Sequence, residues 1–238
     1  MRTIGLIGGM SWESSADYYA AINRGVAAHL GGLHSARSVM VSVDFAEIEQ
    51  LQRNGEWEEA GRRLATEARQ AEAAGAACIL LCTNTMHKVA DAVAAAVDVP
   101  LLHIADATGE RLVADGRRSV GLLGTRYTME QDFYRERLAE QFDLEVLVPD
   151  ASDRARIDGI IFDELVRGVV RDDSRARYLA VIDRLTAAGA EAVILGCTEI
   201  GMLVNASHTN VPLYDTTAIH AEAAVAFALG EDGGAARG

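Results

Sequence analysis

Lysine is almost missing from this chain: Lys88 is the only one among its 22 basic residues. A pyridoxal phosphate enzyme holds its cofactor as a lysine Schiff base, so that cofactor is not expected. Cysteine is scarce as well. Cys78, Cys82 and Cys197 make no CxxC pair and no even-numbered framework, so they read as reduced thiols available for chemistry or for core packing. Positive charge is also in short supply, with 22 basic against 35 acidic residues, a net charge of -13 and a pI near 4.9. Such a chain repels phosphate backbones and anionic membranes at long range, which argues against a nucleic-acid or membrane partner. The start, Met1-Arg2-Thr3 followed by a short apolar run to Ile7, lacks the features of a signal peptide or a membrane span, so the cytoplasm is the expected location. His29, His34, His103, His208 and His220 show no metal-ligand spacing, and no metal is expected. Gly5-Leu6-Ile7-Gly8-Gly9 lacks the GxGxxG spacing, and no acidic residue stands where it could read a ribose, so a dinucleotide site is weakly supported.

What the chain does hold is a repeat. Ala74-Gly75-Ala76 runs through hydrophobic residues into Cys82-Thr83-Asn84-Thr85, and Ala188-Gly189-Ala190 runs likewise into Gly196-Cys197-Thr198-Glu199. Aligned on their Gly-Ala entries, the copies set Thr83 opposite Cys197. The match spreads outward: Gly5-Leu6-Ile7-Gly8 falls on Gly121-Leu122-Leu123-Gly124, Tyr18 on Tyr134, and Val99-Pro100-Leu101 on Val211-Pro212-Leu213. This is a duplicated half. With 238 residues, half of them hydrophobic, the chain can bury one or two ordinary cores.

Apolar runs of strand length recur at Thr3 to Ile7, Ser38 to Val43, Cys78 to Leu81, Leu101 to Ile104, Ser119 to Leu123, Leu144 to Val148, Ala192 to Leu195 and Leu213 to Tyr214. Amphipathic helical segments, such as Trp57 to Ala74 and Arg175 to Ala188, lie between them, and Gly75 and Gly189 sit where helix C-caps belong. Continuous apolar strands alternating with helices predict parallel sheets covered on both faces. The expected fold is α/β: two pseudo-symmetric α/β domains with mainly parallel sheets and the active site in the cleft between them. The first spans 1–103 and is completed by about 209–238; the second spans 104–208. Each half is expected to give its last strand to the other's sheet. A disordered tail is expected from about Gly230 through Gly238.

Both repeated motifs follow buried strands, and parallel sheets bind ligands at the carboxyl ends of their strands. Thr83-Asn84-Thr85 can open a helix whose free amides and positive dipole end would hold a carboxylate. Cys197-Thr198-Glu199 stands at the equivalent place, where the same field would lower the thiol's pKa below its usual value of about 8.5.

Together, Gly8-Gly9-Met10-Ser11-Trp12-Glu13-Ser14, Cys82-Thr83-Asn84-Thr85-Met86-His87-Lys88, His103-Ile104-Ala105-Asp106-Ala107-Thr108 and Leu195-Gly196-Cys197-Thr198-Glu199-Ile200 resemble the aspartate/glutamate racemase family, in its amino-acid racemase branch, over essentially the whole chain. The resemblance implies racemisation without a cofactor, in which two thiols flank Cα of a dicarboxylic amino acid. One removes the proton and the other returns one to the opposite face. It also implies a homodimer. This chain departs from the pattern at Thr83, which stands where the family has its first catalytic cysteine. Cys82 lies one residue toward the strand, and a one-residue shift turns a side chain to the other face of the sheet. Cys82 therefore reads as a core thiol, with a displaced base as the competing account.

Cys197 is accordingly the expected base, facing the hydrogen of the L enantiomer by the family's geometry, and Thr83 a weak relay on the other face. Around them, Asn84, Thr85 and Thr198 are read as α-carboxylate ligands, with helix capping as the alternative. Arg53, in the presumed loop Gln52-Arg53-Asn54-Gly55, and Arg156 are candidates for the side-chain carboxylate, against solvation or a surface ion pair. Met10 and Ser11 could line the floor of the site. Glu199 could orient Cys197, receive the substrate ammonium group, or merely stabilise a helix start. His87 reads as structural rather than as a proton relay. The leading reading is a glutamate or aspartate racemase. The alternatives are a decarboxylase, hydantoin racemase or cis-trans isomerase of the same fold, or an amino-acid-binding protein without turnover.

Overall fold

The computed structural model describes residues 1–231; the part of the expected tail beyond Glu231 lies outside them. The chain divides into two compact units, Met1–Ile104 together with the segment from Thr217 onward, and Ala105–Thr216. Each is built on a parallel sheet.

In the first unit, β1 (Ile4–Gly8) is flanked by β2 (Ser38–Ser42) and β3 (Cys78–Leu81) in the order β2-β1-β3. Alternate residues of β3 face opposite layers. Cys78 and Leu80 pack with Ile4, Leu6, Tyr18 and Ile22, under α1 (Trp12–Leu30). Ile79 and Leu81 pack with Leu51, Leu64 and Ala68, under α2 (Phe45–Asn54) and α3 (Trp57–Ala73). Helix α3 forms because Ala60, Leu64, Ala68 and Ala71 make one buried stripe at helical spacing. Its cap residue is Ala74, and Gly75 follows with φ 94°, a left-handed conformation that side chains with a Cβ resist. Beyond β3 come a 3-10 turn (Thr85–Val89) and the short α4 (Ala90–Ala94).

The second unit opens with α5 (Ile104–Ala114) and centres on β4 (Ser119–Gly124), followed by α6 (Arg126–Glu130), α7 (Asp132–Phe142), β5 (Glu145–Leu147), α8 (Ala151–Asp163), α9 (Asp172–Ala187), β6 (Ala192–Gly196), α10 (Ile200–Leu203) and β7 (Leu213–Asp215). Its sheet order is β5-β4-β6-β7. The Gly189 that follows α9 has φ 112°, repeating the stop used at Gly75.

The duplication holds at the level of register. Ile4 pairs with Cys78 in one sheet and Val120 with Ala192 in the other, and the repeat alignment maps one pair onto the other. The expected exchange of strands is corrected: Leu101 bridges Ile79 in the first sheet, and Leu213 pairs with Val193 in the second, so each strand stays with its own half. The helices after them change units instead. Helix α11 (Thr216–Leu229) sends Ala221, Ala224, Val225 and Phe227 into the core of β1 and α1, while α5 belongs to the second unit. The matched tyrosines receive the exchanged helices: Tyr18 donates from its hydroxyl to His220 Nδ1 at 2.9 Å, and Tyr134 faces Thr108. Leu101 to Ile104 is also not a full strand. Leu101 makes a single bridge and Ile104 begins α5, because so short a run, three apolar residues around His103, fits a strand or a buried helix start equally well.

Candidate active site

In the first unit the sequence candidates gather behind adjacent strands. Met10 and Ser11 follow β1, and Thr83, Asn84 and Thr85 follow β3, all of them buried. Met10 packs into the core beneath α2 and α3, and Ser11 caps α1, its Oγ accepting the Ser14 amide at 3.3 Å. The turn between them is tied by Ser15, which accepts from the Gly9 amide and donates to the Ser11 carbonyl, both at 2.8 Å.

His87 fixes the turn at Thr83. Its Nε2 accepts the Ile104 amide at 3.2 Å, so Nδ1 carries the hydrogen and donates to the Thr83 carbonyl at 2.8 Å. That matches the structural reading of His87. Cys82 is fully buried beside Cys78, Leu80 and Val26, and burial alone pushes its thiol far above the ordinary range. It sits in the layer opposite to Ile79 and Leu81, as the alternation of a strand requires.

Arg53 is corrected. It lies in the last turn of α2 rather than in a loop, and its exposed side chain pairs with Glu49 one turn earlier. The neighbouring Gln52 is the residue turned inward, 5% exposed and donating from Nε2 to Met86 Sδ at 2.9 Å. The sequence reading missed it. The available signal was helical spacing, which sets Gln52 on one face with Ile48 and Leu51.

In the second unit Cys197 follows β6 directly and is 8% exposed. Its Sγ–H donates to Glu199 Oε2 at 3.0 Å, and the Thr198 hydroxyl donates to the same oxygen at 2.7 Å. Burial first, and then the Glu199 carboxylate, push the thiol well above its ordinary value. The expected depression is therefore corrected. Its intended cause, a helix dipole, is small, because α10 is a single four-residue turn. The same correction applies beyond Thr83, where a 3-10 turn and a five-residue helix replace the long helix that the motif suggested. Thr198 spends its one hydroxyl hydrogen on Glu199, which leaves its backbone amide as the group able to hold a carboxylate.

Arg156, half-exposed on α8, donates to Asp153 Oδ1 at 2.9 Å, and Arg184 donates twice to Asp153 Oδ2, at 2.9 and 2.6 Å. This is the ion pair weighed against substrate binding, although four of its five N–H donors remain for a second acceptor. The end of β4 adds a residue that the motifs did not name. Thr125, 7% exposed, caps α6 at the place that the repeat assigns to Gly9, next to Gly124. The duplication itself was the signal for it.

A buried thiol held by a carboxylate thus stands at the carboxyl end of a parallel strand in a duplicated α/β chain, the end at which such sheets bind ligands. The family model of the Asp/Glu/Hydantoin racemases matches residues 7–224. The chain belongs to that family. It is similar to a crystallised Yersinia pestis protein with a provisional assignment as an Asp/Glu racemase, at 54% identity and a TM-score of 0.91, over 96% of this chain and 100% of that one. An aspartate racemase homologue from Pyrococcus horikoshii is 32% identical with a TM-score of 0.82 over the same shares. The fold is also that of a glutamate racemase from Francisella tularensis crystallised with D-glutamate, at 16% identity and a TM-score of 0.66, over 97% of this chain and 82% of that one. The protein is thus an isomerase of the racemase type. Among the described residues no helix is long and apolar enough to cross a membrane.

Proposed function

We propose that this chain racemises an acidic amino acid, glutamate or aspartate, without a cofactor, using Cys197 as the strong base and Thr83 as a weak one on the opposite face of Cα. The observation that carries the reading is the Cys197–Glu199 contact of 3.0 Å, set against a threonine at the equivalent strand end. At neutral pH the thiol is protonated, so a thiolate forms when the proton passes along that hydrogen bond to Glu199. The thiolate then removes the Cα proton of the L enantiomer. The carbanion regains one on its other face from the Thr83 hydroxyl, directly or through a water; solvent restores that proton, and Glu199 releases to solvent the one it took from the thiol. Asn84, Thr85 and the Thr198 amide hold the α-carboxylate, and Arg53 or Arg156 exchanges its present ion pair, with Glu49 or Asp153, for the side-chain carboxylate. The protein works in the cytoplasm as a homodimer, the state that its family resemblance implies.

The two bases differ in strength by a large margin. An alcohol ionises about as reluctantly as water, whereas a thiol does so near 8.5, a gap of roughly 10 kcal/mol before the site adjusts it. Enantiomers are equally stable in water, so this asymmetry leaves the equilibrium untouched and acts on kcat and KM for each direction. The test is to incubate L-glutamate and L-aspartate separately in heavy water, following Cα deuteration by NMR and inversion by chiral chromatography. Deuteration is expected to outrun inversion, because return through Cys197 is the easier path. Label that entered only in step with inversion would overturn the unequal-base reading, and exchange with neither substrate would overturn the substrate class.

A further inference from the structure

Behind Thr83 the first unit buries a cluster of histidines. His87, His103 and His220 pack together with Tyr18, and none of the four is more than 8% exposed. The ring of His87 meets His103 edge-on at 4.5 Å between centroids and His220 at 5.8 Å. The hydrogen bonds among them follow one line. The Tyr18 hydroxyl donates to His220 Nδ1 at 2.9 Å, and His220 Nε2 donates to the Leu102 carbonyl at 2.8 Å. Two residues on, the Ile104 amide donates to His87 Nε2 at 3.2 Å, and His87 Nδ1 donates to the Thr83 carbonyl at 2.8 Å. A carbonyl only accepts and an amide only donates, so the two rings hold opposite tautomers and both are neutral. Leu102 is held by β3 through its amide, which donates to the Ile79 carbonyl, and by His220 through its carbonyl. The peptide that leads to Ile104 is therefore oriented from the His220 side.

The duplication shows that the fold does not require this cluster. The repeat places Gly201 where the first unit has His87, Asp215 where it has His103, and Thr108 where it has His220. In the second unit the Cys197 carbonyl accepts the Ile200 amide at 3.1 Å instead of an imidazole. A Cβ on Gly201 would stand 3.0 Å from Asp215 Oδ2, so no ring fits at that place. The same strand end is thus built without any of the three imidazoles, and they occur only behind the hydroxyl.

We propose that His220 is a positioning residue for Thr83, acting from the exchanged helix α11 by fixing Leu102 to Ile104 and, through that segment, the hold of His87 on the Thr83 carbonyl. This rests on the reading of Thr83 as the second proton donor. The line transmits position rather than protons, because a backbone carbonyl and a backbone amide interrupt it. A weak donor depends on placement, and a shift of about 1 Å costs up to about a hundredfold in rate. Exchange of the L substrate through Cys197 does not use Thr83, so loss of the hold falls on inversion alone.

The test compares deuterium entry at Cα of the L substrate with its inversion, in the whole chain and its variants. His220→Thr installs the residue that the second unit carries at this place, where Thr108 faces Tyr134. Inversion is expected to fall about tenfold with exchange kept within about twofold, so that their ratio rises. His220→Gln keeps an amide able to donate to the Leu102 carbonyl and is expected to bring the ratio back to within about threefold of the wild type. Tyr18→Phe removes only the hydroxyl bond to His220 and should raise the ratio about threefold, which decides the matter if His220→Thr fails to fold. Exchange and inversion that fall together would leave His220 a packing residue and overturn the proposal. An unmoved ratio, in an enzyme whose wild type exchanges faster than it inverts, overturns the positioning role alone. A wild type that takes up label only in step with inversion, or not at all, overturns the catalytic reading and this proposal with it.

Discussion

Position for position, the end of β3 carries Cys82-Thr83-Asn84-Thr85 and the end of β6 carries Gly196-Cys197-Thr198-Glu199, and between the two the thiol has moved by one residue. At β6 a Cβ on Gly196 would meet the Leu123 carbonyl at 2.9 Å, so the strand closes on glycine and the sulfur comes after it. At β3 the equivalent place accepts Cys82, whose sulfur faces the layer of Tyr18 and Val26. The partner differs too. Glu199 accepts the Cys197 thiol, whereas its counterpart Thr85 carries no charge, and the turn around Thr83 is held through its backbone carbonyl by His87. One strand end thus sets a carboxylate against a thiol, and the other a histidine against a backbone carbonyl. Duplication supplied two equivalent positions, and the residues on them made the halves unequal.

The most severe way to break that comparison is Cys197→Ala, which should lower both Cα exchange and racemisation by about a thousandfold or more in a deuterium-exchange assay, since the other two thiols, Cys78 and Cys82, are fully buried in the core of β1 and α1 and neither is paired with a carboxylate in the way Cys197 is with Glu199. Retained activity would transfer the role of base elsewhere. Next is Thr83→Cys, which makes the halves alike. Inversion should rise about tenfold, and the ratio of exchange to inversion should fall toward one. An unchanged ratio would show that Thr83 is not the second proton donor.

Glu199→Gln separates positioning from packing. The carboxylate is the second cause, after burial, of the raised Cys197 thiol, so removing it should move the rising limb of the kcat/KM–pH profile for the L substrate, where this base ionises, to lower pH. The plateau should fall about tenfold as the proton acceptor is lost. A lower rate with an unmoved limb would leave Glu199 only a structural part.

The smallest effect on chemistry belongs to Cys82→Ala, expected to keep racemisation within about twofold while costing about 1–2 kcal/mol of stability. It also has a pH signature. The folded thiol is raised above its unfolded value, so its stabilising contribution is full below about pH 8.5 and is lost as pH rises toward the folded pKa. Denaturant titrations from about pH 8.5 to 10 should therefore show a shallower alkaline loss in Cys82→Ala than in the wild type. Equal slopes would mean that the Cys82 sulfur is not held protonated in the core.

Much of this was legible beforehand, for reasons that particular residues show. Gly75 and Gly189 marked both helix ends because only a residue without Cβ adopts their positive φ at little cost. The alternation of Cys78, Leu80 and Cys82 against Ile79 and Leu81 assigned the displaced thiol to the core, because strand geometry has a period of two. Arg53 and Gln52 were misjudged for the opposite reason: an Asn-Gly pair read as a loop, while tertiary burial of Ile48 and Leu51 carried the helix through to Asn54. The Cys197 thiol was misjudged because a motif gives the start of a helix but not its length.

Covalent order alone determined the repeat and which residues stand at the strand ends, since periodicity and glycine sterics act over a few neighbours. Only the tertiary structure decided that the strands stay home while α5 and α11 trade units, that Gln52 rather than Arg53 faces inward, and that Cys197 is protonated against Glu199. Each of these depends on burial and on groups brought close from distant parts of the chain, and no local pattern encodes desolvation.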